Sequence, residues 1–225
     1  MRVKVREGEA TKSLARKRFF LAKGTVQQNQ PWIQAMEQQP LISRDCYYRE
    51  IGASEPLIKW LRDNDCESVY CREIKVGDLD GPNAVPEFQR AVAAGEPDFK
   101  SRETARKWLT VSLPENIRDG FYRANQQRLA ATLTEAEKIS GFRILSVMTD
   151  RNGTAYFTDL EPGTYVLSNI LPTQIGNVAV SWSCEMQVKI GDLATEKPFL
   201  ISNRKDRNVK CVGVEKPLPA CGASK

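Results

Sequence analysis

Thr149-Asp150-Arg151-Asn152-Gly153-Thr154-Ala155-Tyr156-Phe157-Thr158-Asp159-Leu160-Glu161-Pro162-Gly163-Thr164-Tyr165 carries the turn chemistry that decides the fold class. It reads as strand, tight turn, strand, tight turn, strand. Asn152-Gly153 supplies the positive-φ residues that a hairpin turn needs. Ala155 and Phe157 alternate, so both point to one face of a strand. Pro162-Gly163 makes the second turn, and Tyr165 and Leu167 begin the next alternation. A meander of short strands follows from this pattern; no reaction does.

Outward from that stretch, the β pattern extends both ways. Phe142, Ile144 and Ser146 alternate into it. Val178-Ala179-Val180-Ser181-Trp182 opens a strand that can run on to Ile190, and residues 199–202 and 209–214 read as two more. At the other end of the chain, Val3 and Val5 alternate with charged residues, as in a half-buried strand. A polar turn over 9–13 follows, and then Arg18-Phe19-Phe20-Leu21 as a second strand closed by Gly24.

Residues 25–140 read differently. Ser54-Glu55-Pro56 is a helix start, with Ser at the N-cap and Pro in the first turn. Leu57, Ile58 and Leu61 share its apolar face, and Asn64-Asp65 ends it. Ser101 opens a second helix with Ala105, Trp108 and Leu109 on one side. Pro114 begins a longer one, with Ile117, Phe121 and Leu129 along a stripe. Thr134 and Glu137 have the spacing of a capping box, which predicts a separate short helix before Gly141. Tyr48-Arg49-Glu50-Ile51 and Tyr70-Cys71-Arg72-Glu73-Ile74 echo one another as two short strands.

The hairpin residues Asp150, Gly153, Phe157, Leu160, Pro162, Gly163 and Tyr165 sit at the spacing of the carboxypeptidase regulatory-like (transthyretin-like) domain. The resemblance covers about 17 residues. It implies a seven-stranded, non-catalytic β-sandwich of a kind usually found outside the cytoplasm. The expected class is therefore α+β: an antiparallel transthyretin-like or immunoglobulin-like sandwich built from 1–24 and 141–225, interrupted by a mainly helical insertion over 25–140. An insertion of that length departs from the family pattern. A surface loop tolerates it when the two ends lie close. The competing division, a helical domain followed by a separate β-domain, leaves residues 1–24 without partner strands.

Composition narrows function more than any motif does. The 225 residues contain no histidine. Ser-His-Asp and Cys-His catalysis, His-ligated metals and a histidine general base are thereby excluded within this chain. An enzyme would rely on carboxylates, Lys, Tyr or an unassisted Cys. Asp78-Leu79-Asp80-Gly81 fails as a calcium loop, because the twelfth position is Gln89 rather than a carboxylate. Glu135 and Glu137, two apart on a helix, do not face each other. No cofactor or metal site is expected, and no catalytic residue is assigned. Trp32, Trp60, Trp108 and Trp182 read as core anchors rather than sugar platforms.

The charge is uneven. Residues 1–24 carry eight Lys/Arg against two Asp/Glu, a net +6, while 25–140 carry fifteen against eighteen, a net −3. The basic strands are expected to be a solvated face that discourages edge pairing rather than a nucleic-acid site, since no recognition motif accompanies them. No apolar run is long enough for a membrane span. No signal peptide is visible at Met1 either, which fits a cytoplasmic chain or a mature secreted or periplasmic one.

Six cysteines are present: Cys46, Cys66, Cys71, Cys184, Cys211 and Cys221. Their spacing lacks the paired C-x2-C of zinc sites. An even count favours disulfides in an exported protein, the alternative being free thiols in the cytoplasm. Three fall in 25–140 and three in 141–225. If all six pair, at least one bond must cross that boundary. The expected function is a non-enzymatic extracytoplasmic binding or structural module. The sandwich is its scaffold, the insertion its interaction surface, and its partner a protein or a polysaccharide. The alternatives are a carboxylate-dependent hydrolase with a cleft, or a nucleic-acid binder using the basic strands.

Overall fold

A computed structural model of the chain describes residues 1–189 and 198–222. Among them the strands are β1 (Arg2–Glu7), β2 (Ala10–Ser13), β3 (Arg18–Lys23), β4 (Leu145–Met148), β5 (Gly163–Ser168), β6 (Thr173–Ile175), β7 (Val178–Ser181), β8 (Ser183–Val188), β9 (Leu200–Ser202), β10 (Cys211–Val212) and β11 (Val214–Pro217). The helices are α1 (Gln30–Glu37), α2 (Arg44–Glu50), α3 (Glu55–Asp63), α4 (Pro86–Phe99), α5 (Arg102–Lys107), α6 (Leu109–Ser112) and α7 (Phe121–Ser140). The class is α+β. The chain forms two compact units: Met1–Leu41 with Arg128–Leu218, and Ile42–Gln127 with Pro219–Lys225.

The first unit holds three sheets, in the orders β10-β9-β1-β2, β11-β7-β6 and β4-β3-β5-β8. Most pairings are antiparallel, but β9 runs parallel to both β1 and β10. The basic N-terminal strands have ladder partners from the second half of the chain: β1 pairs β9, and β3 lies between β4 and β5. β3 alternates with period 2 and is buried on both faces. Phe19 and Leu21 enter a core with Val3, Val5, Leu167, Val180, Trp182 and Ile201, drawn from all three sheets. Phe20 and Ala22 enter a second core, roofed by Trp32, Ile33 and Met36 of α1 and by Leu129 and Ala136 of α7.

Several sequence expectations are corrected here. The segment 154–158 is not a regular strand: Thr154 makes an isolated bridge to Arg2, and the Ala155 amide donates to the Met1 carbonyl. Its alternation survives, with Ala155 buried and Tyr156 exposed. Of Asn152 and Gly153 only Gly153 has positive φ, because the Asp150 carboxylate makes the turn by accepting from the amides of Asn152 and Thr154. Residues 10–13 form β2, and the turn is the positive-φ Gly8 with Glu9.

The strand expected over 178–190 is two strands broken at Trp182, and Ile190 lies outside the described residues. Trp182 is fully buried, donates its indole N–H to the Ser202 carbonyl and marks where the chain leaves one sheet for another. Gly213 has no side chain to obstruct that indole; a Cβ there would sit 2.7 Å from its Nε1. The two echoing strands of the insertion are α2 and a 3₁₀ turn, Val69–Cys71. No helix break occurs at Thr134, whose hydroxyl bonds back to the Ala130 carbonyl while α7 continues to Ser140.

The second unit is helical. Ser54 caps α3 by accepting from the Leu57 amide, and Ser101 caps α5 by accepting from the Thr104 amide. Glu87 of α4 secures the α3 cap by accepting from both the amide and the hydroxyl of Ser54. Leu57, Ile58 and Leu61 of α3 share one core with Phe88 and Val92 of α4, Ala105, Leu109 and Phe121. Residues 25–41 and 128–140, expected in the insertion, belong to the first unit, and the C-terminal residues 219–225 to the second.

Candidate interaction surface of the helical unit

All six cysteines are paired: Cys46 with Cys221, Cys66 with Cys71, and Cys184 with Cys211. Their Cα separations of 4.9, 5.6 and 5.6 Å lie in the normal range for the bond. Two of the three bonds belong to the helical unit. Cys46 holds the C-terminal residues against α2, where Arg49 donates to the Cys221 sulfur at 3.4 Å and is itself clamped by both carboxylate oxygens of Glu55.

Cys66–Cys71 closes a short loop after α3, and a polar cluster pins the chain that follows. The Arg72 guanidinium forks onto Asp78 at 2.8 and 2.9 Å, bonds Asn64 at 2.7 Å, and lies 4.6 Å over the Trp60 ring. The Trp60 indole N–H donates to Asp78 at 3.0 Å, and the Lys75 amide adds a bond at 2.7 Å. Burial pushes the Asp78 carboxyl up. The Arg72 bond, the Lys75 amide, the Arg72 charge and the Trp60 bond together more than offset it, and leave the group below the usual carboxylate range. Four donors saturate this carboxylate, so it is built to hold chain rather than to move protons.

The other buried acids are also engaged. Asp45 pairs with Arg44 and Arg62, Glu87 holds Ser54, and Asp119 pairs with Arg123 at 3.0 Å. Asp119 lies in a π-turn, Asn116–Gly120, where Gly120 admits the Tyr47 hydroxyl against the backbone. Burial and the Asp119 charge raise the Tyr47 pKa.

Beside the exposed Glu73 and Lys75, this frame displays two apolar side chains. Tyr70 is 57% exposed and Val76 61%, on the segment pinned by Cys66–Cys71 and Asp78. Arg106 of α5 reaches back to that segment, bonding the Ile74 carbonyl and Glu73. Where α5 meets α6, Trp108 is 57% and Val111 64% exposed. They stand one turn apart, with the Val111 amide donating to the Trp108 carbonyl, so they share a face.

The expectation that Trp108 is a core anchor is therefore corrected, while Trp32, Trp60 and Trp182 are buried. The sequence held a signal for this. Ala105, Leu109 and Leu113 are four apart and buried, and Trp108 and Val111 lie off that stripe.

The basic strands are partly neutralised: Lys12 pairs with Glu7 and Lys23 with Glu161. No group of three or more Cys, Asp or Glu side chains is arranged to hold a metal among the described residues. No helix among them is long and apolar enough to cross a membrane. Comparison with family models, curated proteins and solved structures found no match.

Proposed function

We propose that the protein is a non-catalytic binding module of an oxidising, extracytoplasmic compartment. Its first unit serves as a transthyretin-like sandwich scaffold, and its helical unit carries the interaction surface. One observation carries the reading: a disulfide-closed, ion-pair-pinned segment exposes Tyr70 and Val76, and the α5–α6 junction, tied to that segment through Arg106, exposes Trp108 and Val111. Exposed aromatics on a rigid support lose little entropy on binding, which is the economy of a recognition surface. The three disulfides support the compartment. The partner is a protein or a polysaccharide.

The test compares wild type with a Trp108→Ala/Val111→Ser variant for capture of partners from the extracytoplasmic fraction of the source cells. Capture lost in the variant and retained in a Tyr156→Ala control on the other unit supports the surface. Retention on insoluble polymer that survives protease treatment of the polymer identifies a polysaccharide. Equal capture by wild type and variant refutes the assignment. So does substrate turnover that one carboxylate replacement abolishes.

A further inference from the structure

One edge of the β4-β3-β5-β8 sheet is open among the described residues, and its geometry says what closes it. β4 (Leu145–Met148) is the terminal strand, with β3 as its ladder partner among the described residues. The direction of its backbone groups follows from its neighbours. The Thr149 amide donates to the Lys17 carbonyl, and the Gly24 amide donates to the Thr164 carbonyl of β5. In an antiparallel ladder the bonding direction alternates along each strand. Lys17, Phe19 and Leu21 therefore face β4, and Thr149, Val147 and Leu145 face β3. Ser146 and Met148 are left to point their N–H and C=O groups outward. Leu145, Ser146 and Met148 are exposed, Met148 by half.

Such an edge is a template for another strand. Its defences are weak: no Lys, Pro or inward charge interrupts Leu145-Ser146-Val147-Met148. The sheet is apolar on both sides next to this edge, with Phe19 and Leu21 on one face and Phe20 on the other. An added strand would lie beside Leu145, Val147 and Met148 of β4, apolar side chains that alternate between the two faces. The ends of β4 are basic. Arg143 precedes it, Arg18 lies opposite Met148 and Arg151 follows it, all three exposed; one exposed acid, Asp150, stands among them, its carboxylate taken up by the Asn152 and Thr154 amides.

Self-pairing is disfavoured by the same charges. The register that bonds Ser146 to Met148 of an antiparallel second copy, in both directions, also brings the Arg143 end of each copy beside the Arg18 and Arg151 end of the other. Like charges placed opposite one another are destabilising. We infer that β4 is a docking edge for an extended peptide segment of a partner protein, apolar over about four residues and flanked by Asp or Glu. This goes beyond the surface proposed on the helical unit and stands independently of it.

The probe is a fluorescein-labelled peptide of sequence DDVTVIDD, titrated into the full-length protein by anisotropy. Ser146→Pro removes an outward donor without touching the β3 ladder, as proline is tolerated where an edge N–H faces solvent. The expected result is binding to wild type that weakens at least tenfold in Ser146→Pro, with unchanged melting. Arg143→Glu/Arg151→Glu should weaken it comparably, and added salt should weaken the wild-type complex. A second arm leaves the protein intact: N-methylation of alternate peptide amides should abolish binding in one phase and spare it in the other, whether or not Ser146→Pro folds. No binding to wild type, or equal loss in both methylation phases, overturns the inference. So does a wild-type dimer in sedimentation that Ser146→Pro makes monomeric, which would give the edge to a second copy.

Discussion

Single residues decide this structure where backbone comes close to backbone or a charge is buried. Gly153 shows the first case. It has φ +69°, and a Cβ at that position would collide with the Val3 carbonyl oxygen, with the Leu14 amide nitrogen 3.1 Å away. Gly153→Ala should destabilise the first unit by roughly 2 kcal/mol or more, the range for a strained left-handed residue. Urea unfolding followed by far-UV circular dichroism measures this; an unchanged midpoint would remove the close-approach argument. Asp78 shows the second case. Asp78→Asn leaves Arg72 without its ionic partner and should cost roughly 2–3 kcal/mol at neutral pH. The folded pKa of Asp78 is depressed. Its stabilisation is therefore complete above the unfolded value of about 4 and is lost as pH falls through the folded value. The difference in melting temperature between wild type and Asp78→Asn should be widest at pH 7 and narrow steadily below about pH 4. The glycine was legible in the sequence as part of an Asp-x-Asn-Gly turn. The carboxylate was not, because its side-chain partners lie 6 and 18 residues away and no local spacing announces them.

At the scale of elements, legibility followed burial pattern and capping chemistry. Ser54 and Ser101 were readable as N-caps because a hydroxyl three residues before an amide donor is a local signal. β2 was not readable, because all four of its residues are exposed and nothing alternates. The break between β7 and β8 was hidden for the opposite reason: Trp182 is buried, so it continues the apolar run through the corner. β9 and β10 are short, and each is held by two-residue parallel pairing. The Cys184–Cys211 disulfide supports them by joining β8 to β10, across 27 residues of chain. Closing such a loop is worth about 3–4 kcal/mol in the chain-entropy description. Cys184→Ser/Cys211→Ser should lose about that much stability. In native-state hydrogen exchange, the amides of Lys210 and Gly213, which bond the Leu200 and Ser202 carbonyls, should lose protection before those of β3 and β5. Uniform loss of protection across the unit would instead show that the bond stabilises only the whole fold.

For the whole molecule, composition and turn chemistry revealed an α+β chain with a helical segment between β segments. They did not reveal where the units divide. Trp32, Ile33 and Met36 make α1 amphipathic, but amphipathicity does not say which core a helix joins, and these three cover the sheet face of Phe20 and Val166. The cysteines show the consequence. Divided at residue 140 they form two odd groups, which demands a bond across the boundary. Divided as the chain folds, four belong to the helical unit and two to the β unit, and every bond closes within its own unit. The first unit also brings its own open ends together. Arg128 donates to the Pro40 carbonyl at 2.6 Å, and Gln39 donates to the Thr132 hydroxyl at 2.7 Å. A short linker can therefore replace the excised chain with little closure entropy. A protein of residues 1–41 and 128–218, joined by four Gly/Ser residues, keeps both β-unit cores and the Cys184–Cys211 bond. It should fold cooperatively, form one disulfide and no free thiol, and show the near-ultraviolet signal of buried Trp32 and Trp182. A molten product with exposed apolar surface would mean that the β unit needs the helical unit to fold. The two would then be one cooperative structure, despite their separate cores and separate disulfides.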